Sequence, residues 1–394
     1  MTKNNISVYY CLLYTTIGDI IGFDNGNQKT NKDYYGIMTK KDNPYDYIEL
    51  SSETCNHMIF EFINKGLLSG LRLIYNKESK IVSSNTILHL AVANGLTEKY
   101  NTLDEIITNI KNNIITSYEN DKLKQERYYS NIIIKQIQNL KKKNYNYKNE
   151  KYNKNQYSSD VATRCMIIGV IFSNEKDLNK LLYITINSAR LTHNNGISIL
   201  GGICSALFCS FAVNSINITT WIFKLIKILE SKNFKNIYLE NTNSEKEYLI
   251  DLELYIYQWK KYIDFRFTDK KEIKIYRHLI NPSMKYQEYF TKFSNNKEIF
   301  YPGDSGDDCM IIAYDCFLDI KSKFIQEDSP NPNAYDQLVC YSMLNTGNSN
   351  NIGSIASCLY GLTYFYKNIY SLIGNNIEIR EKINNITEKF KKIL

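Results

Sequence analysis

The chain has 394 residues, 43% of them hydrophobic and 23% charged, with a mean hydropathy of −0.38. That is enough apolar material to bury a large core, and it excludes a wholly disordered chain. The net charge of +7 does not describe a nucleic-acid-coating surface, because seven lysines against the single acid Glu150 fall between Lys135 and Ser158 and the rest is near neutral.

The apolar stretch Ile6 to Phe23 comes first. It is rich in Tyr and Thr, carries Asp19 and lacks a small-residue cleavage pattern, so it does not read as a secretory signal. Helical spacing then recurs down the chain. Glu53 to Leu71 repeats Met58, Ile59, Phe62, Ile63 and Leu67 on one face. Thr86 to Leu96 is an apolar helix, and Leu103 to Tyr118 is amphipathic. Asn144 to Ser159 is Asn-, Lys- and Tyr-rich without periodicity, and predicts a basic insertion, disordered in part, within residues 119–159. Helices are predicted again over Val161 to Phe172, Leu178 to Leu191, Ile197 to Asn214, Trp221 to Ser231 and Leu249 to Phe265. The region Thr242 to Ile299, broken at Pro282, reads as helices plus an irregular connection. Cys309 to Leu318, Tyr335 to Leu344, Ile355 to Tyr366 and Ile377 to Leu394 complete the series. Period-two strands are nearly absent, so one all-α domain over residues 1–394 is predicted.

Leu191 to Phe223 holds no Lys, Arg, Asp or Glu, yet is rich in Asn, Ser and Gly. Small residues at this density suit a buried central helix and not a membrane span. The nine cysteines are odd in number and form no C-x-x-C pair, which predicts reduced thiols and a cytoplasmic protein.

Four stretches then stand out. Gly18-Asp19-Ile20-Ile21-Gly22 is the first, and Val82-Ser83-Ser84-Asn85-Thr86, opening an apolar helix, is the second. The third runs from Ser188-Ala189-Arg190-Leu191-Thr192-His193 into Leu200-Gly201-Gly202 and Ser205-Ala206-Leu207-Phe208. The fourth joins Gly303-Asp304-Ser305-Gly306-Asp307-Asp308 and Ala313-Tyr314-Asp315 to Asn345-Thr346-Gly347-Asn348-Ser349-Asn350-Asn351 and Leu359-Tyr360-Gly361. In this order they resemble the ADP-ribosylglycohydrolase family, closest to ADP-ribosylarginine hydrolase and its inactive relatives. The resemblance implies an all-helical fold. It also implies cleavage of the glycosidic bond between ADP-ribose and a protein side chain, assisted by two magnesium ions in a cleft.

The residues depart from that pattern where the metals would bind. The family's Asp-Asp pair falls on Ser84 and Asn85, its two later acids on Asn348 and Asn350, and its hydroxyl ligand on Asn351. Ser83 alone keeps a family-type group. Two dications about 4 Å apart repel by roughly 17 kcal/mol at an effective dielectric near 20, which amides and hydroxyls do not offset. The plainer reading of these Ser and Asn residues is helix capping. The family's Gly-rich turn, Gly-x-Gly-Ala-x-Met-Arg, is replaced here by Ser158-Ser159-Asp160-Val161-Ala162-Thr163-Arg164, so Asp160 would set negative charge beside a diphosphate. Residual ligand contacts are expected from Asp19, Ser158, Ser159, Gly303, Ser305, Gly306 and Asp308.

The expectation is therefore a pseudoenzyme that needs no metal, has no catalytic residue, binds ADP-ribose weakly or not at all, and serves a protein partner. The alternative is a working ADP-ribosylarginine hydrolase with an altered magnesium site. Binding of RNA or acidic lipid through the lysines of the insertion is the weakest reading. His89, Arg190 and His193 are expected to be structural.

Overall fold

The computed structural model describes residues 3–27, 81–269, 272–274, 303–326, 329–330, 334–343, 348–364 and 377–393. The helices predicted at Glu53 to Leu71 and around Pro282, and the Asn345 to Gly347 part of the fourth motif, lie outside these residues. Helices dominate, in the order α1 (Lys3–Asn27), α2 (Ser84–Gly95), α3 (Leu103–Asn120), α4 (Asn131–Leu140), α5 (Asp160–Ile171), α6 (Leu178–Arg190) and α7 (Gly196–Val213). There follow α8 (Trp221–Leu229), α9 (Lys232–Leu239), α10 (Glu245–Arg266), α11 (Asp308–Phe324), α12 (Ala334–Ser342), α13 (Ser349–Tyr364) and α14 (Ile377–Lys391). Among the described residues the only sheet is the antiparallel pair of two-residue strands β1 (Ile325–Gln326) and β2 (Ser329–Pro330). The fold is all-α, as the periodicity predicts.

At the centre lies α7, every residue of which is buried. It is uncharged because nothing around it is water, and Asn195 starts it by accepting from the N–H groups of Ile197 and Ser198. Its small residues let neighbours approach. A Cβ on Gly169 of α5 would stand 1.8 Å from the carbonyl oxygen of Ala206, so this crossing admits only glycine. The pairing of α1 with α13 is the most extensive between helices among the described residues, and also close. A Cβ on Gly18 would lie 2.3 Å from the Gly353 carbonyl oxygen, and one on Gly22 2.4 Å from that of Ser349. Among the described residues two helices, Asn5–Phe23 within α1 and Gly196–Val213, are long and apolar enough to cross a membrane, but both are mostly or wholly buried inside the protein, as core helices are.

The Asn144 to Ser159 segment makes several hydrogen bonds to the helices beside it. Tyr145 donates to Glu150 at 2.6 Å, Tyr147 to Asn187 at 3.3 Å and Tyr152 to Asp251 at 3.0 Å. The Asn153 N–H donates to the Asn194 carbonyl at 2.9 Å. Each tyrosine ring covers apolar surface while its hydroxyl finds an acceptor, so a segment with no apolar periodicity is still pinned to α6, α10 and the α6–α7 turn. Three helices were not predicted: α1, read only as an apolar stretch, and the short α4 and α9. The two short ones each open on a serine cap, with Ser130 accepting from the Ile133 N–H and Ser231 from the Phe234 N–H.

Candidate functional site

Four helix starts and one turn converge on a single polar cluster. Asp19, on α1, is fully buried and accepts from the Ser83 backbone N–H at 2.7 Å, the Ser83 hydroxyl at 2.6 Å and the Thr86 hydroxyl at 2.7 Å. These bonds fix where α2 begins. Burial raises the Asp19 pKa, and the Ser83 and Thr86 donors pull the other way. Ser83 also caps α2 through the Asn85 N–H at 3.1 Å. Ser84 turns away, its hydroxyl 3.4 Å from the Tyr128 carbonyl.

Asn85 reaches across the cluster. Its Nδ2 donates to Asp160 Oδ1 at 3.0 Å and to Asn351 Oδ1 at 2.6 Å. Asn351, from the start of α13, donates through its own Nδ2 to Ser159 Oγ at 2.7 Å and to the same Asp160 oxygen at 3.2 Å. Asn350 Nδ2 faces Asn351 Oδ1 at 3.2 Å, Ser83 Oγ at 3.4 Å and Asp19 Oδ1 at 3.5 Å. Asn348 donates to Asp304 at 3.1 Å and accepts from the Asn351 N–H at 3.4 Å.

The turn at Gly303 to Asp308 forms the last wall. Gly303 has a φ of 83°, the left-handed region that glycine tolerates. Ser159 donates its hydroxyl to the Gly303 carbonyl and its N–H to the Asp304 carbonyl, both at 2.8 Å. Ser158 pairs with Ser305 in an isolated antiparallel bridge, and the Gly306 N–H donates to the Tyr157 carbonyl at 2.9 Å. Asp308 accepts from the N–H groups of Gly303 at 2.8 Å and Ser305 at 3.1 Å. Burial and the charge of Asp307 push its pKa well up. Asp304 is raised to about 6, first by burial and then by the charge of Asp160, with Asn348 opposing.

Of the six degenerate metal positions, Ser83, Asn85, Asn348, Asn350 and Asn351 come together with Asp19 and the Ser158 turn, whereas the Ser84 side chain points to Tyr128. The structure revises what several of them do. Capping accounts for Ser83 and Asn348, whereas Asn85, Asn350 and Asn351 bond across the cluster instead. Asp19, Ser159, Ser305 and Asp308, expected to keep contacts with a ligand, are buried and bonded within the protein. A carboxylate that holds two or three N–H or O–H groups is committed to the fold. Of that expected set, Ser158 is the one part-exposed side chain. His89, Arg190 and His193 are buried, as expected of structural residues. The sequence reading missed Thr86 as a partner of Asp19, and Asp160 as the acceptor joining two walls. The replaced glycine position was the available signal for Asp160.

An all-helical domain whose polar cluster assembles from these helix starts defines a class, and sequence comparison names it. The chain belongs to the ADP-ribosylglycohydrolase family, whose model matches residues 7–393. It is similar to a protein of Acanthamoeba polyphaga mimivirus provisionally named an ADP-ribosyl glycohydrolase, at 28% identity over 96% of this chain and 69% of that protein. It is also similar to ADP-ribosylhydrolase ARH1 of Dictyostelium discoideum, at 24% identity over 98% of this chain and 94% of the relative.

Proposed function

We propose that this chain is an ADP-ribosylhydrolase-like protein without hydrolase activity, which uses the family fold for binding. The observation that carries the reading is the donor set at the cluster. The positions that resemble the family's metal ligands hold hydroxyls and amides, and three of those amides turn their N–H groups, not their oxygens, toward Asp160, Asp19 and Asp304. An amide held this way by a carboxylate cannot offer its oxygen to a cation in the same direction. Asp19 and Asp308 are spent on backbone and hydroxyl donors. Among the described residues no three His, Cys, Asp or Glu side chains converge as metal ligands do. The residues do not fit a magnesium pair, and no catalytic step is derived through one.

The test is an assay of the pure chain on ADP-ribosyl-arginine and ADP-ribosyl-serine proteins with magnesium. No release above a heat-killed control is expected. Magnesium-dependent turnover would overturn the reading in favour of an active hydrolase, which the name of the Dictyostelium relative favours.

A further inference from the structure

We propose that Asp160 decides which ligands this site admits, closing it to diphosphates and other anions, and that Asn85 and Asn351 hold its carboxylate in place. The inference rests on the reading above only in taking the Ser158 to Asp160 turn as the ligand-facing one. Its grounds are the directions in which the amides point. One oxygen of Asp160 accepts from amides on two different helix starts, α2 and α13. That fixes both amide orientations, since turning either would set oxygen against oxygen. Asn85 then directs its amide N–H groups at Asp160 and Asn351, and Asn351 directs its own at Asp160 and Ser159, while Asn348 and Asn350 turn theirs toward Asp304 and Asp19. Asn85 Oδ1, by contrast, is buried and without a partner, so the free edge of the cluster is an acceptor. Asp304 adds a second acid beside Asp160, and among the described residues neither forms a salt bridge. A phosphate entering here meets the carboxylates of Asp160 and Asp304 and the carbonyl oxygen of Asn85, all of which repel it.

Two measurements test this. Calorimetry with ADP-ribose should show Asp160→Asn binding at least about tenfold tighter than the unmodified chain, since the amide keeps the shape and removes the charge. Equal affinities would overturn the proposal. In thermal denaturation, Asn85→Asp places a second carboxylate against Asp160 and should lower the melting temperature, and adding Asp160→Asn should recover at least half of that loss. Purely additive losses in the double variant would overturn it too. These outcomes are separate from the hydrolysis assay: turnover would defeat the reading above and leave the coupling of 85 to 160 intact.

Discussion

Asp19 shows how one buried carboxylate can fix where a neighbouring helix begins. Three donors from the start of α2 point at it, and removing the acceptor would leave them buried and unpaired. Asp19→Ala is expected to cost about 3–5 kcal/mol in urea unfolding, whereas an exposed acid such as Glu98 should be near neutral. Asp304 makes a different statement. Its pKa is raised to about 6, so the folded state holds the proton more firmly than the unfolded chain does. The stability this gives is complete below about pH 4 and lost as pH rises through about 6. Asp304→Asn should therefore gain on the unmodified protein between pH 4 and pH 7, read from melting temperatures across that range. A flat difference would count against the assignment.

Helix crossings set the positions of these side chains. Gly169 meets the backbone of Ala206, which cannot move aside, while Gly202 meets the Val161 side chain with 2.7 Å to a Cβ. Gly169→Ala should cost about 3 kcal/mol or more and Gly202→Ala about 1, and the order of their urea midpoints checks this. A buried ion-pair network joins α10 to α11, with Arg266 Nε on Asp315 at 2.8 Å and Nη2 bonded to Asp319. Arg266→Met would strand both acids and is expected to lose about 3–5 kcal/mol by the same measurement. Most of these helices were legible because their apolar faces repeat at helical spacing. The short α4 and α9 were not, since eight to ten residues give a weak period and the serine caps were overlooked. The start of α13 was missed for another reason. Ser349, Asn350 and Asn351 are polar yet mostly buried, so polarity there marks an interior contact and not a loop.

Across the whole molecule, the cluster is legible as a set of positions but not as a set of bonds. Motif order along the chain brings Ser83, Asn85 and Asn351 together; which amide faces which carboxylate depends on approach distances that no spacing encodes. Likewise the Asn144 to Ser159 insertion lacks periodicity, and only its tyrosine hydroxyls reveal how it is held. Because hydrogen bonds between protein groups join the walls of the cluster, excess chelator should leave the melting temperature unchanged. A fall of several degrees, restored by added magnesium, would show that a bound ion shares that task.

The close pairing of α1 with α13 bears on biosynthesis. Asp19 and Asn350 are 331 residues apart, so at ribosomal speed the second emerges roughly half a minute after the first. Throughout that interval the largely apolar α1 lacks the partner helix that covers it, and the nascent chain carries a sticky segment that a holding chaperone must shield. Substitutions that make Asn5 to Phe23 still more apolar should therefore reduce soluble yield before they alter the finished protein.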